Sequence, residues 1–169
     1  LIGGLYASGM PSDRLEEEIP GLNWDDFFND NPVRRDLSFR RKADDSEYLV
    51  KIPVGFRDGK LTHPRGLIEG QKINLLLKSL VLPARQIQDF DNLPIPFRAV
   101  AADIENGEAV VLDSGDLAMA LRASMSIPGA FSPVEIDGRL LVDGGIALNL
   151  PMEVAREMGA DVLIVVDLT

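Results

Sequence analysis

The sequence predicts a layered α/β domain in which helices cover a β-sheet. Three observations support this prediction. Segments with the spacing of amphipathic helices alternate with short apolar segments that are typical of strands. The 169 residues are 46% hydrophobic, which is enough for one folded core and favours a single domain over residues 1–169. The aliphatic run from Val162 to Val166 is mostly β-branched and typical of a strand that is buried on both faces.

The first part of the chain is predicted to be helical. Four apolar residues at its start have helical spacing: Leu1, Ile2, Leu5 and Tyr6. No N-capping residue stands before Leu1, so we expect the chain to open inside a helix that ends at Gly9 to Pro11. Ser12 to Ile19 is predicted to form a second helix with Ser12 as its N-cap, and one helical turn is expected near Trp24 to Phe28.

Strands and helices then alternate to the end of the chain. The strands are expected at Tyr48 to Phe56, at Phe97 to Ile104 and at Glu108 to Leu112, with hairpin turns at Asp58-Gly59, Asn106-Gly107 and Asp137-Gly138. The helices are expected at Gly70 to Leu82, at Asp116 to Met125 with Ser114 or Asp116 as N-cap, and from Pro151 to Gly159. The hairpin at Asp137-Gly138 is predicted to have Asp143 at the end of its second arm.

Composition excludes several classes of function. The formal net charge of −10 argues against a general nucleic-acid binder, which needs an electropositive face. No apolar stretch approaches the roughly 18 to 20 residues that span a bilayer. The chain has no Cys, which excludes disulfides and thiolate metal sites within it.

The best candidate for chemistry is Asp143. It follows Leu140-Leu141-Val142, and a carboxylate at the end of a buried strand costs several kcal/mol unless it is hydrogen-bonded or reaches solvent. Gly144 and Gly145 allow a sharp turn and a close approach of the backbone to a ligand. Asp-Gly is also a common turn pair, and for an isolated pair the turn interpretation would be preferred. The longer D-G-G context favours a functional role here.

The segment R-A-S-M-S-I-P at residues 122–128, followed by D-G-G at 143–145, resembles the patatin-like phospholipases. The start L-I-G-G-L-Y-A-S-G resembles the helix that follows the G-x-S-x-G nucleophile elbow of that family, and no G-x-S-x-G occurs in the chain. The resemblance implies a patatin-like sheet flanked by helices, a Ser-Asp dyad with Asp143 as its carboxylate, and no metal or other cofactor. It places the serine just before Leu1, so the chain is expected to be a C-terminal portion that is inactive by itself.

Three further segments, F-R-R-K at 39–42, G-L-I-E-G-Q at 66–71 and I-P-F-R-A-V at 95–100, look most like bacterial patatins of type V secretion. This resemblance implies export to the outer membrane or secretion rather than a cytoplasmic location. It also implies that the polypeptide continues past Thr169 into a transport region.

Other polar residues are expected to have structural roles. Asp103 is interpreted as structural, and Arg122 is expected to form a structural ion pair. Ser124 and Ser126 lie near a helix end, where hydroxyls usually satisfy backbone groups. The only histidine, His63, lies in a predicted loop and is interpreted as inert, so a Ser-His-Asp triad is hard to build.

A local basic cluster stands out in this acidic chain: Arg34, Arg35, Arg40, Arg41 and Lys42. A solvated loop is the simpler interpretation, and contact with anionic lipid headgroups is the functional one.

The sequence therefore predicts a serine hydrolase of phospholipid or lysophospholipid esters, with a peripheral contact to the membrane surface and self-association into a homodimer as further expectations. Two alternatives stay open. The first is a non-catalytic lipid-binding or scaffolding module with the same fold. The second is a metal-dependent hydrolase that uses Asp103 and Asp143, although no second cluster of ligands is evident in the sequence.

Overall fold

A computed structural model of the protein describes residues 1–27, 55–57, 60–62 and 70–166. The helices in these residues are α1 (Ile2–Ala7), α2 (Ser12–Gly21), α3 (Trp24–Phe27), α4 (Gln71–Leu80), α5 (Leu117–Ser124) and α6 (Met152–Glu157). The strands are β1 (Gly55–Arg57), β2 (Lys60–Thr62), β3 (Ala99–Asp103), β4 (Ala109–Leu112), β5 (Val134–Ile136) and β6 (Arg139–Asp143). No helix in the described ranges has the length and apolar character needed to cross a bilayer.

Four strands form an antiparallel sheet in the order β4-β3-β6-β5. All five residues of β3 are buried, which confirms the predicted buried strand, although it begins two residues later and ends one residue earlier than expected. In the pairing of β3 with β6, Ala101 lies opposite Asp143 and Asp103 lies opposite Leu141. The sheet therefore fixes Asp143 beside the middle of its most buried strand.

Helices α1, α4 and α5 pack with the sheet around one hydrophobic core. Among the residues with no or almost no exposed surface are Leu5, Ile73, Leu77, Leu121 and Leu141. Helix α1 approaches α5 very closely, because a Cβ added at Gly4 would lie 2.4 Å from a methyl carbon of Leu121. The glycine lowers helix propensity by about 1 kcal/mol relative to Ala, and the close contact with α5 explains why it stands there. The predicted α/β class is confirmed.

Strands β1 and β2 form a separate hairpin in which Phe56 lies opposite Leu61. This agrees with the predicted hairpin, whose turn at residues 58–59 lies outside the described residues, as does most of the strand expected from Tyr48.

The structure corrects two of the predicted elements. Ser12 is the first residue of α2 rather than its cap, because Pro11 takes the N-cap position and makes no side-chain capping bond. The run from Val162 to Val166 is not a buried strand: Val162 is 79% exposed and Ile164 is 92% exposed. A strand needs a hydrogen-bonded neighbour, and among the described residues no strand pairs with this run.

Candidate functional site

The β5–β6 hairpin holds Asp143 in position. Its turn residues Asp137 and Gly138 both have positive φ, 51° and 76°, as the favoured two-residue hairpin turns require. Three residue pairs then fix the register, with Val134 opposite Leu141. Because the turn and the register are both set locally, the end of β6 falls at Asp143.

Asp143 is half-buried and hydrogen-bonded on two sides. Its backbone N–H donates to the carbonyl oxygen of Ser126 at 2.9 Å, and its Oδ1 accepts from the backbone N–H of Gly145 at 2.7 Å. The second bond caps a short 3₁₀ turn at Gly144–Ile146. Oδ2 has no hydrogen-bond partner within the described part of the chain. The carboxylate thus combines the turn role with one oxygen that is open to another group.

Gly144 is required by a close approach of two backbones. A Cβ at this position would lie 2.3 Å from the carbonyl oxygen of Val100 in β3, a distance at which real Cβ atoms are essentially never found. At Gly145 a Cβ would lie 3.0 Å from Oδ1 of Asp143 and 3.5 Å from Oδ1 of Asn149. The first glycine therefore allows the turn to sit against β3, and the second keeps the space between two polar side chains open.

A cavity of about 330 Å³ opens beside the carboxylate. It is assembled from α1, β3, α5 and the loop that follows β6. Its polar side chains include Asp143, Ser124 and Asn149, and its apolar lining includes Leu121 and Leu148. Polar and apolar groups contribute about equally to this lining, and convergent polar groups of this kind orient ligands in small-molecule sites. Cavities of about 400 and 580 Å³ lie near Asp116, at the other end of α5, and do not include Asp143.

The start of α1 lies close to Asp143. Leu1, Gly3 and Gly4 all line the same cavity. The backbone that leads into α1 therefore borders the same cavity as the candidate carboxylate.

Arg122 and Ser126 are buried and hydrogen-bonded to each other, and the backbone bond expected of Ser126 is confirmed. Arg122 is 1% exposed, donates a hydrogen bond to Oγ of Ser126, and places its guanidinium carbon 4.6 Å from the centre of the Phe131 ring. Gly70 packs so closely that a Cβ there would overlap the guanidinium group. Ser126 in turn donates to the carbonyl oxygen of Arg122 at 2.6 Å. The ion pair predicted for Arg122 stays a prediction.

Ser124 differs from the expectation. It was predicted to satisfy a backbone group, but its hydroxyl forms no hydrogen bond within the described residues and the residue lines the cavity. Only Ser126, two residues further on, bonds back to the helix. Asn149 was not singled out by the sequence analysis at all. Its position four residues after the D-G-G segment is the only sequence feature that could have pointed to it. That position does not by itself predict that its side chain lies beside Asp143.

Asp103 lies at the end of β3, 8% exposed, and its Oδ1 accepts from the backbone N–H of Glu105 at 2.9 Å. This is a turn-stabilising role, as expected. Within the described ranges no group of three or more His, Cys, Asp or Glu side chains could hold a metal ion. The two carboxylates therefore do not combine into the metal site of the alternative hypothesis there. His63 and the basic cluster at 34–42 lie outside the described residues.

Comparison with known proteins supports a single family. The sequence model of the patatin-like phospholipase family matches residues 1–156. The chain is 32% identical over 172 aligned residues to patatin-like phospholipase domain-containing protein 7 of Rattus norvegicus, an alignment that covers 99% of this chain and 12% of that protein.

Two mycobacterial proteins are also similar. An uncharacterized NTE family protein of Mycobacterium tuberculosis is 42% identical over 103 residues, which cover 61% of this chain and 28% of that protein. A second NTE family protein of the same species is 41% identical over 108 residues, 64% of this chain and 16% of that protein. The chain thus spans less than a third of the length of these relatives. The likeness to type V secreted patatins, and the location that it implies, stay predictions.

Proposed function

Because the chain belongs to the patatin-like phospholipase family, we propose that the protein containing it hydrolyses the acyl ester of a phospholipid or lysophospholipid, with Asp143 as the carboxylate of a Ser-Asp dyad. The observation that supports this most is the state of Asp143. One of its oxygens is fixed by Gly145, the other accepts no hydrogen bond from the described residues, and the residue lines a 330 Å³ cavity. A general base needs such an available oxygen within reach of the proton that it accepts.

The nucleophile in this proposal is a serine that precedes Leu1. The position of Leu1 supports this, because Leu1 lines the same cavity as Asp143 and a residue just upstream would lie near the carboxylate. Asp143 accepts the serine proton as the hydroxyl oxygen attacks the ester carbonyl. The tetrahedral intermediate collapses, and Asp143 returns the proton to the departing alcohol. Water then repeats the sequence on the acyl-enzyme, releasing a free fatty acid and regenerating the serine.

Stabilisation of the oxyanion in this scheme comes from the glycine-rich segment that the family carries upstream of its nucleophile. The 169-residue chain contains neither that segment nor the elbow serine. An isolated general base has no nucleophile to activate, so we expect this chain alone to release no fatty acid from phospholipid.

The rim of the site suits a lipid. Ile127 directly follows Ser126, whose carbonyl oxygen accepts the hydrogen bond from the backbone N–H of Asp143. Ile146 lies in the 3₁₀ turn that follows Asp143. The two side chains are 56% and 62% exposed. Exposed aliphatic side chains that are close in sequence to Ser126 and Asp143 would contact acyl chains at a membrane surface. We propose this peripheral contact as part of the same function.

The test compares two Asp→Asn variants in the longer protein. Asp143→Asn keeps the size of the side chain and removes the base, so fatty acid release from phospholipid should fall by about 10² to 10⁴. Asp137→Asn makes the same change in a neighbouring Asp-Gly pair that forms only a hairpin turn, and it should leave the rate unchanged. Equal rates for both variants would remove Asp143 from the mechanism. Lipid binding without turnover in the wild-type protein would favour the non-catalytic module instead.

A further inference from the structure

We propose that Ser124 and Asn149 are substrate-contacting residues, which hydrogen-bond to oxygens of the acyl ester and its glycerol unit beside Asp143. This proposal rests on the proposed function and adds the residues that hold the polar part of the substrate. Nothing in the sequence connects the two residues, which lie 25 positions apart and meet only because α5 and the loop after β6 line one cavity.

The two side chains lie close to the candidate base. Asp143 and Asn149 each place an oxygen near one point, 3.0 and 3.5 Å from the position that a Cβ of Gly145 would take. Ser124 is the last residue of α5 and lines the same cavity, with Leu121 one turn before it. A substrate ester placed beside Asp143 would therefore have an amide and a hydroxyl within the same small volume.

Neither side chain has a structural use in the described part of the chain. A serine at a helix end usually bonds to the carbonyl four residues earlier, as Ser126 does with Arg122, but Ser124 does not. An asparagine just before a helix often caps it, but α6 has Pro151 at its N-cap and no side-chain cap. A hydroxyl and an amide that satisfy no internal group are available to bind a ligand.

The chemistry of the pair fits an ester rather than a phosphate. Both groups are uncharged, and each supplies a donor and an acceptor. The cavity includes one arginine, Arg98, whose guanidinium is held by both carboxylate oxygens of Asp91 at 2.7 and 2.8 Å. The described lining thus presents neutral hydrogen-bonding groups next to the base, which match the carbonyl, ester and hydroxyl oxygens of a lysolipid.

The experiment measures steady-state hydrolysis of a short-chain lysophosphatidylcholine by the longer protein. Ser124→Ala and Asn149→Ala should each raise KM by about threefold to tenfold with little change in kcat, because each removes one neutral hydrogen bond made in both the ground state and the transition state. Ser124→Thr keeps the hydroxyl and should restore most of the lost affinity. The pH dependence of kcat/KM should keep its shape, because neither group titrates.

Two matched controls lie away from the cavity. Ser114→Ala and Asn106→Ala remove the same groups from exposed positions at which they bond only to neighbouring residues, and should leave KM unchanged. Thermal unfolding of every variant separates binding from folding: a fall in midpoint that matches the loss of activity, or Ser124→Thr behaving as Ser124→Ala, would make the role structural and overturn the proposal. If the wild-type protein hydrolyses the lipid and both cavity variants match the controls, the pair is wrong while the proposed function stands. If the wild-type protein releases no fatty acid, the proposed function itself is wrong, and the pair with it.

Discussion

The β5–β6 hairpin and the last described segment, residues 152–166, are both rich in aliphatic residues, but only the hairpin is packed. In the hairpin, Leu141 and Val142 are 1% and 3% exposed. In the last segment, helix α6 has no buried residue and Ile164 is 92% exposed. The hairpin brings its own neighbouring strand through a tight turn and also pairs with β3, whereas no described strand pairs with residues 162–166.

The comparison shows what an aliphatic pattern does and does not predict. The pattern indicates that the segment prefers an apolar environment, and β-branched residues find such an environment when they pack on a sheet. Whether that environment forms depends on a second element that supplies backbone hydrogen bonds and side-chain contacts. A turn such as Asp137-Gly138 brings a partner strand from the adjacent sequence. An aliphatic run without such a turn depends on a partner strand from a distant part of the chain.

The largest expected effect is on the free energy of unfolding when one aliphatic side chain is truncated in the hairpin or in residues 152–166. Leu141→Ala in the 169-residue chain should lower the free energy of unfolding by about 2 to 5 kcal/mol, because it leaves a cavity under the sheet. Ile164→Ala should change it by less than about 0.5 kcal/mol, because the side chain is already in solvent. Urea unfolding followed by circular dichroism measures both. A cost above about 1 kcal/mol for Ile164→Ala would mean that the last segment is packed after all.

The second effect concerns the backbone contact between the turn after β6 and β3. Gly144→Ala would place a methyl group 2.3 Å from a carbonyl oxygen that belongs to the sheet and cannot rotate away. We expect a loss of about 1 to 3 kcal/mol in urea unfolding. Gly21→Ala is the matched control, because nothing lies within 4 Å of its added methyl group. Similar stabilities for the two variants would contradict the close packing of the turn on β3.

The smallest expected effect is a loss of thermal stability at low pH that comes from the ion pair between Asp91 and Arg98, in the segment that leads into β3. The hydrogen bonds from Arg98, together with its charge, hold the pKa of Asp91 below its ordinary value of 3.8. A carboxyl group whose pKa is lowered on folding contributes stability above its unfolded pKa and loses it as the pH falls through the folded pKa. The midpoint of thermal unfolding of the wild-type chain should therefore fall as the pH drops below about 4.

Asp91→Asn should weaken that dependence and lower the midpoint at neutral pH only slightly, since the carboxylate is exposed. Asp116→Asn is not a suitable control because Asp116 caps α5, whereas Asp137→Asn changes a turn carboxylate of similar exposure. Identical pH profiles for wild type and Asp91→Asn would show that the ion pair does not contribute.

The elements that were predicted well are those specified within a short stretch of sequence. The hairpins at Asn106-Gly107 and Asp137-Gly138 follow from turn residues that tolerate positive φ, and the structure gives positive φ at Gly107, Asp137 and Gly138. The sequence predicts Ser114 or Asp116 as the N-cap of α5. The structure shows that it is Asp116, whose Oδ1 accepts a hydrogen bond from the backbone N–H of Met119.

The parts that were not predicted depend on contacts between distant segments. The burial of Gly4 against Leu121, the overlap that Gly144 avoids with Val100, and the cavity shared by Ser124 and Asn149 all require the packed positions of α1, β3 and α5. A single sequence predicts a role for Asp143 from its local motif, but it does not predict which uncharged side chains lie near Asp143 in the fold. The exposed run at Val162 to Val166 is the opposite case, a clear local pattern without a described partner.

The most direct test of the central claim, that Asp143 activates a serine just before Leu1, is covalent labelling of the longer protein with a fluorophosphonate, which reacts with activated serines. Peptide mass spectrometry should place the label on a serine immediately upstream of Leu1. The labelling rate should fall by about 10² to 10⁴ in Asp143→Asn and stay unchanged in Asp137→Asn. A label on Ser124, or a rate that does not depend on Asp143, would contradict the account.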